Sequence, residues 1–210
     1  MKICCISDTH SLRQPKDLPD ADVLIHAGDL SLTGQVHEIQ QTLGWLRKFP
    51  HKYKIFIGGN HDNSLAEFGV TLFEEQMQPY KDRTPLIYLC ASRTKVEGLT
   101  VFGDAALPFN PIFRAGARAF MLDATTNRHW SLAPTCDILI THGPPKHVLD
   151  AGYGDPILAG YVQITKPKLH VFGHVHSAHG VVSSKETLFV NAALLDESYR
   201  PAYEPIVVEI

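Results

Sequence analysis

Short apolar runs rich in β-branched residues recur along the chain, and most of them stop at a small cluster of Gly, Asn, Asp or His. Residues 2–7, 23–27, 53–57, 137–140 and 169–172 are such runs, each the length of one buried strand. Between several of them lie stretches whose apolar positions return every three or four residues, the spacing of a helix laid on a sheet. In residues 36–49 these positions are Val36, Ile39, Leu43 and Leu46, and Pro50 stops the pattern. Helices are also predicted at residues 64–68, 115–127 and 157–164. After Pro85 the rhythm shortens to strands at residues 86–91, 94–97 and 100–103, with Glu97-Gly98 as a hairpin turn. Residues 180–183, 187–191 and 205–209 repeat that style. Parallel units mixed with hairpins predict an α/β arrangement of two mixed sheets, packed face to face and covered outside by helices.

With 210 residues, 44% of them hydrophobic and 20% charged, the chain can bury a sizeable core. No repeat, low-complexity stretch or linker interrupts it, so one domain over residues 1–210 is expected. The formal charge of -3 supplies no basic field for a polyanion, which argues against long nucleic acid as a partner. Cys4, Cys5, Cys90 and Cys136 lie in apolar runs without zinc-finger spacing and are expected to be reduced core residues. No apolar stretch approaches the roughly 20 residues that cross a bilayer, and the chain opens directly on a strand without a cleavable signal. The expectation is a soluble cytoplasmic protein with no membrane partner; oligomeric state is not legible.

The polar clusters change this ordinary picture. Asp8-Thr9-His10, Gly28-Asp29, Gly59-Asn60-His61-Asp62, Thr141-His142-Gly143-Pro144-Pro145 and Gly173-His174-Val175-His176 each close one of the five strand runs. Loops beyond the carboxyl ends of such strands converge, so the clusters offer nitrogen and oxygen ligands for two metal ions. Two divalent cations about 3.5–4 Å apart need an anionic bridge, and Asp29, held behind Gly28, is the natural one. Asp8 and Asp29 are the only carboxylates among the expected ligands, so two divalent cations keep a positive surplus that matches a hydroxide plus a phosphodiester. The imidazoles of His10, His142, His174 and His176 and the amide of Asn60 suit manganese, iron, zinc, cobalt or nickel. The ion, magnesium included, is not chosen by the sequence. His174 and His176 would face opposite ways on a regular strand, so both reach the metals only if the backbone turns at Gly173.

In this order the five blocks resemble the calcineurin-like metallophosphoesterase superfamily, whose pattern runs Asp-x-His, Gly-Asp, Gly-Asn-His-Asp/Glu, His and Gly-His-x-His. The blocks around Asp8, Asp29, His142 and His174, with Val190-Asn191-Ala192, look like the metallophosphoesterase-domain-containing proteins related to class III cyclic-nucleotide phosphodiesterases. The resemblance implies a four-layer αββα sandwich. It implies that Asp8, His10, Asp29 and His176 hold one metal, that Asp29, Asn60, His142 and His174 hold the other, and that His61 is the catalytic histidine. Asp62 is expected to orient His61, while His26 and His170, inside their strands, are expected to be structural. The expected reaction is attack on phosphorus by a metal-activated hydroxide, with His61 assisting the leaving group. The substrate is expected to be a small phosphodiester, cyclic nucleotides among them. Residues 104–114 should lie near the cleft, where Phe109 or Phe113 could stack a base and Arg114 could meet phosphate; the tryptophan-rich stretch of the resembling phosphodiesterases is missing there. Two alternatives stand beside this reading: a phosphomonoesterase with the same metals, and a non-catalytic scaffold on the same fold.

Overall fold

In the computed structural model, which describes residues 1–77, 86–108, 116–122 and 129–210, the first strand shows how the layers arise. Successive side chains of β1 (Lys2–Ile6) point to opposite faces, so Ile3 and Cys5 enter one core while Cys4 and Ile6 enter another. Strands β2 (Val23–His26), β3 (Tyr53–Phe56) and β4 (Leu86–Tyr88) follow in parallel beside β1, each reached through a crossover. The hairpin β5 (Ser92–Val96) and β6 (Leu99–Asp104) comes next, turning through Glu97 and Gly98, both at positive φ. A two-residue pair, β7 (Leu107–Pro108) and β8 (Met121–Leu122), precedes β9 (Ile138–Thr141), β10 (Leu169–Phe172), β11 (Gly180–Ser183), β12 (Leu188–Asn191) and β13 (Ile206–Glu209).

One sheet runs β13-β1-β2-β3-β4 and the other β11-β12-β10-β9-β6-β5. Their facing sides share a core that includes Ile3, Ile25, Ile55, Val101, Ile140 and Val171. Behind the first sheet, Leu24 and Phe56 pack on Ile39, Leu43 and Leu46 of α1 (Val36–Leu46) and on Leu65 of α2 (Asn63–Met77). Behind the second, Leu139, Phe172 and Phe189 pack on Leu158, Tyr161 and Val162 of α3 (Pro156–Thr165). Pro156 opens α3, and the Asp155 side chain caps it by accepting the Ile157 N–H at 2.7 Å. The result is the expected αββα layering. Within each sheet the internal strands are parallel, so the carboxyl ends of β1, β2, β3, β9 and β10 open toward one edge of the sandwich.

Several local expectations fail for physical reasons. Helix α1 ends at Leu46 rather than at 49, and the short helix expected at 64–68 continues to Met77 across a non-helical Gly69. No helix forms over the described part of 115–127: the Ala119 N–H goes to Asn60 O at 3.1 Å, and Phe120 O accepts from Leu107 N at 3.1 Å. Those tertiary bonds use backbone groups that a helix would pair internally, and residues 123–127 lie outside the described ones. Cys90 is exposed rather than in the core. Among the described residues no helix is long and apolar enough to cross a membrane.

Candidate metal centre and active site

The strand ends turn sharply. Asp8, His10, Asp29 and His174 have φ of 53, 46, 55 and 67°, a region that costs an L-residue about 1–2 kcal/mol. The turns are clipped together by Asp8 N donating to Gly28 O and His10 N to Asp29 O, both at 3.0 Å. Two glycines let backbone come up against the carboxylates: a Cβ on Gly173 would collide with Asp8 Oδ2 and Ser7 Oγ, and one on Gly59 with Asp29 Oδ1. In the space so gained, His174 N–H donates to both Asp8 oxygens at 3.1 and 3.0 Å, and His61 N–H to Asp29 Oδ1 at 2.9 Å.

That leaves Asp29 Oδ2 between two imidazoles, 3.5 Å from His10 Nε2 and 3.4 Å from His142 Nε2. His176 Nε2 lies 3.3 Å from Asp8 Oδ1, Asn60 Oδ1 lies 3.0 Å from His142 Nε2, and the rings of His142 and His174 are 5.0 Å apart. Each anchored ring is held by a carbonyl at its other nitrogen. Nδ1 of His10 donates to Ser31 O at 3.0 Å, that of His142 to Ala27 O at 2.9 Å, and that of His61 to Leu32 O at 2.7 Å. A carbonyl can only accept, so Nδ1 carries a hydrogen, and in the neutral form of each ring it is the Nε2 lone pair that faces inward.

The donor set fits divalent cations. His10 Nε2 is buried without a hydrogen-bond partner, which is costly unless something is bound there. Ligand atoms of Asp8, His10 and His176, of His10, Asp29 and His61, and of Asp8, Asp29 and His142 fall within 4.8 Å of one another in three overlapping groups. Burial works against ionising Asp29, yet the charge and hydrogen bond of His142 outweigh it and hold the carboxyl well below the usual carboxylate range. Burial likewise opposes Asp8, which the bond to and charge of His176 drive down. In return, although burial lowers both, Asp29 pushes His142 up to about 9 and Asp8 pushes His176 up to about 9. Protons on these rings supply the positive charge that the carboxylates demand when no cation is present.

The remaining expected residues separate. The His61 ring is in T-shaped contact with His10, centroids 4.6 Å apart, and lines a cavity of about 990 Å³ with Asp29, Asn60, His174 and His176. Asp62 does not orient it. Its buried carboxylate instead accepts Leu30 N at 3.1 Å, Ser31 N at 2.9 Å, Ser31 Oγ at 2.6 Å and Gly59 N at 2.9 Å, stitching the second cluster to the third. His26 and His170 are internal struts, with Nε2 on Thr9 Oγ1 at 2.9 Å and on Thr141 Oγ1 at 2.8 Å. The Pro144-Pro145 turn is tied to Asp155 at the start of α3 and does not line the cavity. Phe109, Phe113 and Arg114 lie outside the described residues. Sequence reasoning missed Tyr199, Glu197, Tyr153 and Leu12 in the cavity wall; none sits in a ligand-like pattern, and only a turn signal, Asp196 to Pro201, marks the first two.

Comparison with known proteins gives the family and the fold. The sequence pattern of calcineurin-like phosphoesterases matches residues 1–178. The whole chain is 33% identical, over 233 aligned positions, to the human metallophosphoesterase domain-containing protein 1, covering 71% of it. It is 34% identical over 239 positions to a UPF0046 protein of Caenorhabditis elegans, covering 81% of that chain. A crystal structure of a Thermus thermophilus protein superposes on 90% of this chain and 88% of its own, with a TM-score of 0.64 at 14% identity, a likeness of fold.

Proposed function

The chain belongs to the calcineurin-like phosphoesterase family and is a metal-dependent phosphoester hydrolase, and from that premise we propose that it hydrolyses small phosphodiesters, cyclic nucleotides among them, in the cytoplasm. One observation carries the preference for diesters: the described residues that line the cavity include Asp29 and Glu197 but no Lys or Arg. A diester brings one negative charge. A monoester, with a second pKa near 6, brings close to two at neutral pH, and the described lining offers no Lys or Arg for the second.

In this reading Asp8, His10, Asp29 and His176 would hold one divalent cation and Asp29, Asn60, His142 and His174 the other. Such a pair, when bound, supplies positive charge to the phosphoryl oxygens and a strongly acidified water as nucleophile. His61 does the proton work. Its Nδ1–H is fixed on Leu32 O, so Nε2 faces the cavity and, once protonated, donates to the departing alkoxide. Asp62 contributes by holding the loops that carry Asp29 and Asn60.

The test is reconstitution of metal-free protein with manganese, nickel, zinc or magnesium, followed by turnover of bis-p-nitrophenyl phosphate, p-nitrophenyl phosphate and cyclic nucleotides. A higher kcat/KM for the diester is expected. A preference for the monoester overturns the diesterase reading.

A further inference from the structure

We infer that Tyr199 is a specificity-determining residue, its ring forming the wall on which the organic group of the ester packs, so that a planar aromatic group is favoured over a small alkyl one. The inference rests on the reaction proposed above. It begins from position. The Tyr199 ring centroid is 4.9 Å from that of His10, 5.5 Å from His176 and 6.1 Å from His61, at steep angles to all three. Its hydroxyl is 3.4 Å from His61 Nε2. The phenol therefore lies against three rings of the site and lines the cavity with two of them, within reach of a group attached to phosphorus there.

Its backbone is a second, independent observation. Tyr199 has φ of 59°, the same left-handed conformation as Asp8, His10, Asp29 and His174, and such strain persists where the surroundings enforce it. Here Asp196 enforces it. Its carboxylate accepts Ser198 N at 2.8 Å and Arg200 N at 3.0 Å, and pairs with the Arg200 guanidinium. Its carbonyl accepts the Nδ1–H of His176 at 2.9 Å. The turn bearing Tyr199 is thus fastened to a ligand candidate.

The chemistry of the mouth supplies the third. Leu12, Leu32, Val175 and Tyr153 line the cavity with Tyr199. Tyr199 is 38% and Tyr153 65% exposed. Apart from Thr33 and Glu197, the described lining side chains outside the strand-end clusters are aromatic or apolar, and such a wall recognises the ester's organic group while the phosphate charge is met at the ligand cluster. Aromatic rings do this by stacking, which tolerates many planar partners.

The experiment uses the manganese-loaded protein and the variants Tyr199→Phe, Tyr199→Leu and Tyr199→Ala. Bis-p-nitrophenyl phosphate and methyl p-nitrophenyl phosphate release the same phenolate, so their kcat/KM ratio reports the group that stays. Tyr199→Ala should lower that ratio about tenfold, chiefly through KM, and Tyr199→Phe should stay within about twofold. Calorimetry with phenylphosphonate and methylphosphonate, which cannot be hydrolysed, should show about tenfold weaker binding of the first alone. If Tyr199→Ala loses metal or fold, Tyr199→Leu, which fills similar space without a ring, takes its place. An unchanged ratio, equal losses for both phosphonates, or a Tyr199→Phe as impaired as Tyr199→Leu overturns the assignment. Absence of turnover of both diesters by the parent defeats the diesterase reading instead, and the phosphonate pair still decides Tyr199.

Discussion

Asp196 holds His176 through its main chain and Arg200 through its side chain: the carbonyl takes the imidazole Nδ1–H at 2.9 Å while the carboxylate takes the guanidinium at 2.8 Å. One residue thereby sets both the orientation of a ligand candidate and the shape of the turn over the site.

Replacing that carboxylate should therefore be felt at the metal. In Asp196→Ala the carbonyl remains but the turn that aims it is released. Partners of this kind are worth about 10- to 100-fold in metal affinity or activity, and a loss in that range is expected. Competitive metal titration with a chelating indicator measures it. Unchanged affinity would show that His176 is held well enough without the turn.

His61 and Asp62 are neighbours with opposite expected phenotypes. His61 lines the cavity with its ring held by Leu32 O and touching Tyr199 and His10, so His61→Ala should retain metal and fold while turnover falls about 10²- to 10⁴-fold. Asp62 accepts four hydrogen bonds in a buried place. Asp62→Ala strands those donors at about 1–3 kcal/mol each, so metal-free protein should lose at least about 3 kcal/mol of stability. Denaturant unfolding and metal analysis of the two variants separate the cases. A stable Asp62→Ala with a lowered kcat alone would restore to Asp62 the direct role that the geometry denies it.

This contrast marks where the sequence could be read and where it could not. Strand runs ending in polar clusters are a local signal, and the five ends do converge, because parallel strands of two packed sheets open toward one edge. The direction of the Asp62 side chain is not local: it is set by the donors of Leu30 and Ser31, more than 30 residues away. Residues 116–122 read as helix on periodicity, yet Asn60 and Leu107 take their backbone groups. Tyr199 lies 138 positions from His61, and nothing about a lone tyrosine in a polar turn announces that contact.

Gly173 should tolerate no side chain. A Cβ there meets the Asp8 carboxylate and the Ser7 hydroxyl, both fully buried, so neither can swing into solvent. Gly173→Ala should displace Asp8 from His176 and weaken the candidate cation site they form, leaving about one bound metal in place of the proposed two. Elemental analysis after gel filtration gives the stoichiometry. Full occupancy in the variant would mean that Asp8 is not a ligand.

The last prediction concerns acid. His170 is entirely buried among Phe172, Phe189 and Thr141, and burial alone lowers its pKa to about 3. His26, buried under Thr9, is lowered to about 4, by burial first. A base with a lowered folded-state pKa stays neutral in the fold while the unfolded chain binds its proton below about 6.5. Its contribution to stability is therefore complete above that value and is lost as pH falls from about 6.5 toward 3. In that window each such imidazole steepens the loss by up to about 1.4 kcal/mol per pH unit. His170→Gln keeps a donor for Thr141 and removes the titration, so it should lower the slope of metal-free stability between about pH 6 and 4.5 by that amount, whatever it does to the absolute value. Urea unfolding at a series of pH values supplies both slopes, and parallel lines for parent and variant would mean that His170 accepts its proton in the folded state.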